Sequence, residues 1–185
     1  MQIDRVLFPV TTLGPNKRIA IWTVGCPHKC YHCSNPELWT SDKNMDIAVS
    51  TLISMLSDYK NEADGVTITG GDPFFQAEEL YKLLKELRNL GFNDILVYTG
   101  YSFKEVSKKY ENILSLIDVL IDEPYIESLN NNVGLMGSDN QNIRILNPLL
   151  KEEYKNLRTI KRSRQNFISN NKIISVGIPN KICSR

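Results

Sequence analysis

The stretch Arg18-Ile-Ala-Ile-Trp-Thr-Val24, running into Gly25-Cys26-Pro27-His28-Lys29-Cys30-Tyr31-His32-Cys33-Ser34-Asn35-Pro36, decides how this chain is read. Its first part is short, apolar and rich in β-branched residues, the pattern of a strand. Its second part places three cysteines at C-x3-C-x2-C spacing directly after that strand. Three thiolates so close in sequence can wrap one inorganic centre. An odd ligand count leaves one corner of that centre open to a small molecule.

Working outward, the same alternation recurs. Gly65 to Thr69 reads as a second strand ending in Gly70-Gly71-Asp72-Pro73, Asp94 to Tyr98 as a third ending in Thr99-Gly100-Tyr101, and Asp118 to Ile121 as a fourth ending in Asp122-Glu123-Pro124-Tyr125. Asn142 to Leu146 makes a fifth, after Gly137-Ser138-Asp139-Asn140-Gln141. Between them, Asp46 to Tyr59 has helical apolar spacing with Asp46 as N-cap, and Ala77 to Leu90 sets Leu80, Leu83, Leu84 and Leu87 on one face before Gly91 stops it. Ser102 and Glu105 have capping-box spacing and open a further helix. Apolar strands alternating with helices predict a parallel sheet in an α/β fold. Five or six such units curl into an open, partial β/α barrel, since a closed one takes about 250 residues. All loops that follow parallel strands emerge at one edge, where α/β proteins build their active sites. The cysteines, Gly70-Gly71-Asp72, Thr99 and Asp122 should therefore share one mouth. A carboxylate at a strand's C-terminal edge, as at Asp122, is awkward in a core.

The 185 residues divide into a main domain over 1–150 and a basic C-terminal extension over 151–185, packed on or trailing it. Lys155, Arg158, Lys161, Arg162 and Arg164 read as a solvated helix or tail, and Lys172 to Ile178 as one last edge strand. Hydrophobic residues at 42%, charged residues at 23% and a net charge of +1 describe a globular chain with no electrostatic call for nucleic acid. No apolar run spans a membrane, and Asp4, Arg5 and Pro9 make the N-terminus a poor signal peptide. A cytoplasmic location is expected, where clustered cysteines bind metal or do redox work. Cys183, far from the cluster in sequence, reads as a plain cysteine.

Zinc prefers four thiolate or imidazole ligands, and His28 or His32 could complete such a set. An iron–sulfur cube takes its thiolates on separate irons, and short cysteine spacings suit that. Three cysteines on a four-iron cube leave one iron for a chelating ligand. Gly70 and Gly71 lack a Cβ, so backbone there can approach a ligand closely. Asp72 can accept from an ammonium group. Together they look like a seat for an amino-acid-shaped molecule. Trp22 and Trp39 read as core aromatics, and His28 as a packing or hydrogen-bonding residue of the loop.

The cysteine spacing, Gly70-Gly71-Asp72-Pro73, Tyr98-Thr99-Gly100-Tyr101, Asp118-Val119-Leu120 and Gly137-Ser138-Asp139-Asn140-Gln141 resemble the radical S-adenosylmethionine enzymes. The resemblance is strongest to the small glycyl-radical activases of anaerobic ribonucleotide reductase. It implies a partial barrel of the radical S-adenosylmethionine type and a 4Fe–4S cluster on Cys26, Cys30 and Cys33. It also implies S-adenosylmethionine chelating the fourth iron, with Gly70, Gly71 and Asp72 seating the methionine amino group. His32, Cys33 and Ser34 would lie near the adenine, and Thr99 and Asp122 along the rest of the cofactor. Reductive cleavage would yield methionine and a 5′-deoxyadenosyl radical, which takes a hydrogen atom from a glycine of a large partner enzyme. A flavodoxin- or ferredoxin-type protein would supply the electron. His32, Ser34 and Glu123 depart from the activase pattern, and Ser34 and Glu123 sit where a partner loop would approach. Two other readings use the same residues: a radical enzyme that modifies a peptide or small metabolite, and a non-catalytic metal-binding module that docks to a partner.

Overall fold

A computed structural model describes residues 1–169 and 172–181. The strands are β1 (Ile3–Val10), β2 (Arg18–Thr23), β3 (Gly65–Gly70), β4 (Ile95–Tyr98), β5 (Val119–Asp122) and β6 (Asn142–Ile145), hydrogen-bonded in that order in one sheet. Strands β2 to β5 are mutually parallel, as their apolar runs predict. The helices between them are α1 (Val49–Ser57), α2 (Ala77–Asn89) and the short pair α3 (Phe103–Lys109) and α4 (Glu111–Leu114). The fold is therefore mixed α/β around a mostly parallel six-stranded sheet.

Period-two alternation along the strands sorts side chains onto two faces. Ile19, Ile21, Val66, Ile68, Ile95, Val97 and Leu120 pack against Leu52 and Leu56 of α1 and Leu80, Leu83, Leu84 and Leu87 of α2. On the other face, Ala20 and Trp22 belong to a cluster with Val10, Leu13, Leu38 and Val176, while Leu96, Val119 and Ile121 pack with Leu135, Met136, Tyr154 and Leu157. This second face carries loops and the C-terminal extension in place of helices, which leaves room for a cavity above it.

Several expectations are corrected. The sheet holds four parallel strands, not five or six repeated units, and both edges are antiparallel: β1 against β2, and β6 against β5. The apolar pattern does not predict β1. Its polar residues sit at a half-buried edge, where Arg5 lies over the Trp22 ring with 4.7 Å to the centroid. Helix α1 begins after Ala48, which makes no side-chain cap, while Asp46 closes a preceding 3-10 turn. Residues 172–176 form strand β8 (Lys172–Val176), which pairs with β7 (Gln165–Ser169) in a separate hairpin and adds no edge to the main sheet. The basic stretch is not a purely solvated tail: helix α5 (Lys151–Tyr154) and the turns after it bury Tyr154 and Leu157. Arg162 also turns inward, donating to the carbonyls of Met136 and Pro179. Gly91 ends α2 at φ +85°, and the Ser102–Glu105 capping box is present in both directions, as expected. Cys183 lies outside the described residues.

Buried Arg18 anchors the base of this arrangement. Its guanidinium, 0% exposed, donates to both carboxylate oxygens of Asp94 at 2.6 and 3.0 Å and to Thr67 and the Val66 carbonyl. Tyr154 of α5 donates to the same carboxylate at 2.6 Å, which ties the extension to the sheet. Burial raises the Tyr154 hydroxyl far above the ordinary tyrosine range, so it stays a donor.

Candidate metal and cofactor site

The backbone of the cysteine loop is closed before any side chain acts. Gly25 N–H donates to the Leu38 carbonyl at 2.8 Å and Cys26 N–H to the Trp39 carbonyl at 3.0 Å, so both ends of the loop are pinned beside β2. Inside it, Lys29 and His32 take left-handed φ values of +46° and +55°, and Cys33 N–H bonds to the Cys30 carbonyl. These reversals turn the three half-buried cysteines to one side.

A cavity of about 730 Å³ lies over that side, at the C-terminal ends of β2 to β5. Cys26, Cys30, Cys33, Ser34 and His32 line it from the first loop, Gly70, Gly71 and Asp72 from the second, Thr99 and Gly100 from the third, and Glu123 and Tyr125 from the fourth. The expected convergence on one mouth is observed for every candidate site residue except Asp122. That side chain is 0% exposed and does not line the cavity. It accepts both contacts of the Arg144 Nε–H at 3.0 Å and the Phe103 N–H, holding the start of α3 and β6 to the end of β5. Its carboxylate escapes core desolvation by pairing.

Asp72 sits at the cavity wall but is only 1% exposed. Its oxygens accept from Phe74 N–H at 2.9 Å, Gly100 N–H at 2.8 Å, the Thr99 hydroxyl at 2.9 and 3.1 Å, and His28 Nε2 at 2.9 Å. A carboxylate accepts only, so His28 carries its proton on Nε2. Gly70 has φ +110°, and a Cβ on it would strike the Thr23 backbone, while one on Gly71 would strike the Gly25 carbonyl. The paired glycines thus let β3 close against β2 and the cysteine loop, and they leave bare backbone at the cavity.

Sequence alone gives His28 a packing or hydrogen-bonding role in the loop, or a place in a zinc set, without naming its partner. The signal for more is its place between two cysteines, with a lone carboxylate ending the next strand. His32 has a side chain 59% exposed, stacked on Tyr31 at 4.0 Å between centroids, with Nδ1 3.9 Å from Glu127. The Gly-Ser-x-Asn-Gln run forms a brace: Gln141 Oε1 accepts from Gly137 N–H and Ser138 N–H, and its Nε2 donates to the Glu123 carbonyl. Arg164 and Ser175–Lys181 of the extension complete the wall.

The donor set fits an iron–sulfur cluster. The Asn35 N–H donates to the Cys33 sulfur at 3.4 Å, and the backbone amides of His28 and Lys29 beside Cys26 and of Tyr125 beside Cys30 favour their thiolates. Such bonds favour thiolate and tune cluster potential. Burial raises the Cys26 and Cys30 thiols above the ordinary cysteine range, and the neighbouring backbone amides offset part of that rise. Among the described residues no three His, Cys, Asp or Glu side chains close on a single ion. Of the two histidines that could complete a zinc set, His28 is bonded to Asp72, and His32 is stacked on Tyr31 with its side chain 59% exposed.

Comparison with known proteins agrees. A model of the 4Fe-4S single cluster domain matches residues 12–144. The anaerobic ribonucleoside-triphosphate reductase-activating protein of Enterobacteria phage T4 is 31% identical over 77% of this chain and 93% of its own length. Pyruvate formate-lyase-activating enzyme of Staphylococcus aureus is 29% identical over 72% of this chain and 56% of its own length. Among solved structures, QueE from Escherichia coli superposes with a TM-score of 0.45 at 19% identity, covering 54% of this chain and 52% of that one. With the cysteine loop, the Gly-Gly turn and their shared cavity, the family model and the phage relative show that the chain belongs to the 4Fe-4S single-cluster-domain family, in the branch of radical S-adenosylmethionine enzymes that holds the anaerobic ribonucleotide reductase-activating proteins.

Proposed function

We propose that this chain is a glycyl-radical activase whose partner is a large anaerobic ribonucleotide reductase. The observation that carries the reading is the convergence of Cys26, Cys30, Cys33 and the Gly70–Gly71 backbone on one cavity of about 730 Å³. That volume lies within the usual range for a cofactor site, about 300–1,000 Å³. Cys26, Cys30 and Cys33 would hold a 4Fe–4S cluster, with the amides of His28, Lys29, Tyr125 and Asn35 orienting their sulfurs. When bound, the cluster supplies the electron that cleaves S-adenosylmethionine reductively.

The chain's own residues bind and orient. Gly70 and Gly71 offer backbone to the methionine amino group, because the Asp72 oxygens are already taken. Ser34, His32 and Thr99 remain as contacts along the nucleoside, while Asp122 acts on the site only through the fold. Ser34 and Glu123, two of the departures from the activase pattern, stand with Tyr125 and Glu127 where a partner's glycine loop would enter. A flavodoxin- or ferredoxin-type donor is part of the proposal. So is an open partial barrel over 1–150, with 151–185 as an extension of the same unit. Coverage favours the reductase as partner over a pyruvate formate-lyase: 93% of the phage relative is spanned, against 56% of the staphylococcal one.

The test is anaerobic reconstitution with iron and sulfide, then S-adenosylmethionine and a strong reductant. A brown protein that yields 5′-deoxyadenosine, and a glycyl radical signal when the reductase is added, is expected. A colourless zinc protein with no such product refutes the proposal. Product without a radical on the reductase moves the substrate to a peptide or metabolite.

A further inference from the structure

Resting on the activase reading, we infer that His28 is a positioning residue for the cluster loop. Its ring clasps the limb between Cys26 and Cys30 to the ends of β3 and β4 through the buried carboxylate of Asp72.

Four observations meet at this ring. His28 Nε2 donates to Asp72 at 2.9 Å, from a side chain 17% exposed onto a carboxylate 1% exposed. Asp72 simultaneously accepts from Thr99 and Gly100 at the end of β4 and from Phe74 beyond β3. An ionised carboxylate offers about four lone-pair sites, and four donors fill them. No site is left for a ligand's ammonium group, so the acid is a knot inside the protein. The third observation is steric: a Cβ on Gly100 would lie 2.5 Å from His28 Cδ2, so the glycine keeps the slot in which the imidazole lies. Finally, the Tyr101 ring meets the imidazole edge-on, 4.6 Å between centroids, and closes the slot from the other side.

The consequence concerns the sulfurs. The residue that donates its ring to Asp72 lies two positions after Cys26 and two before Cys30, inside the backbone reversal at Lys29, whose φ is +46°. Swinging the imidazole out of the slot therefore frees the backbone limb that carries Cys26 and Cys30. The Gly70–Gly71 backbone stays in place, because β2 holds it. His28 thus sets the cysteine limb relative to the Gly-Gly seat, which is the spacing that a ligand bridging cluster and seat must match.

The test compares His28→Gln, whose amide nitrogen can reach Asp72, with His28→Leu, which fills the slot without a donor. Both are reconstituted anaerobically and measured for iron content and for the electron paramagnetic resonance of the reduced cluster with and without S-adenosylmethionine. Steady-state cleavage of S-adenosylmethionine then separates effects on KM from effects on turnover. His28→Gln is expected to match the parent chain. His28→Leu is expected to keep its far-ultraviolet circular dichroism but lose the spectral response to S-adenosylmethionine, with KM raised about tenfold and turnover changed less. If His28→Leu does not fold, Gly100→Ala decides, since it pushes the imidazole out and leaves Asp72 intact; it is expected to give the same spectral and KM signature. Parent-like spectra and KM in His28→Leu, or in Gly100→Ala where the first does not fold, overturn the inference. Equal defects in His28→Gln and His28→Leu overturn it too. Should the parent chain form no 5′-deoxyadenosine, the activase reading fails, while iron content and cluster spectra still decide the clasp.

Discussion

Replacing Asp72 by asparagine changes one oxygen to an NH2 group and separates the knot from the cofactor. The remaining oxygen can still accept from Phe74 N–H and the Thr99 hydroxyl, which bond Oδ1 at 2.9 and 3.1 Å. The new NH2 group meets His28 Nε2 and Gly100 N–H, which bond Oδ2 at 2.9 and 2.8 Å. His28 adapts by moving its proton to the other ring nitrogen and accepting. The Gly100 amide has no such freedom, so one donor faces another and a charge-assisted bond is lost. That costs about 2 kcal/mol. For a chain of this size it lowers Tm by roughly 4–8 °C, at about 2–4 °C per kcal/mol. Asp72→Ala orphans both the Phe74 and Gly100 amides at about 2 kcal/mol each, while water from the cavity can serve Thr99 and His28. It is expected to lose about twice as much. The assay is thermal unfolding of the metal-free chain by circular dichroism. A Tm for Asp72→Asn within 1 °C of the parent, on the order of measurement error and well below the shift expected, refutes the saturated-acceptor argument. So does an Asp72→Ala that is no worse than Asp72→Asn.

Three further outcomes follow from the same geometry. Cys30→Ser is expected to abolish cluster assembly, read as iron content, with the fold retained by circular dichroism, because the cysteine loop adds little to the core; global unfolding would make the metal structural. Asp122→Asn is expected to lower Tm by a few degrees, about 1 kcal/mol from the weakened Arg144 pair, and to leave the S-adenosylmethionine KM unchanged; a raised KM would return Asp122 to the cofactor site. Asp94→Ala leaves the guanidinium of Arg18 buried without its carboxylate and is expected to cost about 3–5 kcal/mol, whereas Tyr154→Phe removes one donor to that carboxylate and leaves the ion pair, at about 2 kcal/mol; denaturant unfolding of the two variants measures the ratio.

Strands β2 to β5 could be read from sequence because each is a buried apolar run between polar loops, and a parallel sheet forces those loops to one edge. β1 escaped because an edge strand need not be apolar on both faces; Asp4 and Arg5 bond each other, and Arg5 also donates to Asn35. The reversed direction of β6 follows from its connection: between β5 and β6 the chain makes only a 3-10 turn at Glu127–Leu129, with no crossover helix to carry it back parallel. Asp46 and Asp122 show the limit of reading residue type. Each is an acid at a plausible position, and what decides its role is which N–H or guanidinium the fold brings to it. The three cysteines needed no such partner to be recognised, since their spacing alone carries the chemistry.

The order in which the site forms can also be measured. If Asp72 is a knot made by the protein alone, the amides it binds are satisfied before iron or S-adenosylmethionine arrives. Phe74 and Gly100 N–H then lie in closed hydrogen bonds at 2.9 and 2.8 Å in the metal-free chain. Their exchange with deuterium requires the clasp to open. The exposed turn at Tyr31, 74% exposed, has no such lock and samples the range of local opening typical of loops. Metal-free protein is therefore expected to show Phe74 and Gly100 exchanging at least ten times more slowly than Tyr31, on the order of 1.4 kcal/mol of extra opening free energy. Cluster binding should then slow Tyr31 and its neighbours with little change at Gly100. Equal, fast exchange at all three positions without metal would mean that the cluster builds the clasp, and Asp72 would again be open to a ligand. Slow exchange at Gly100 before reconstitution leaves the cofactors a pre-organised seat with the His28 limb already clasped to it, and only the exposed turn at Tyr31 left to order.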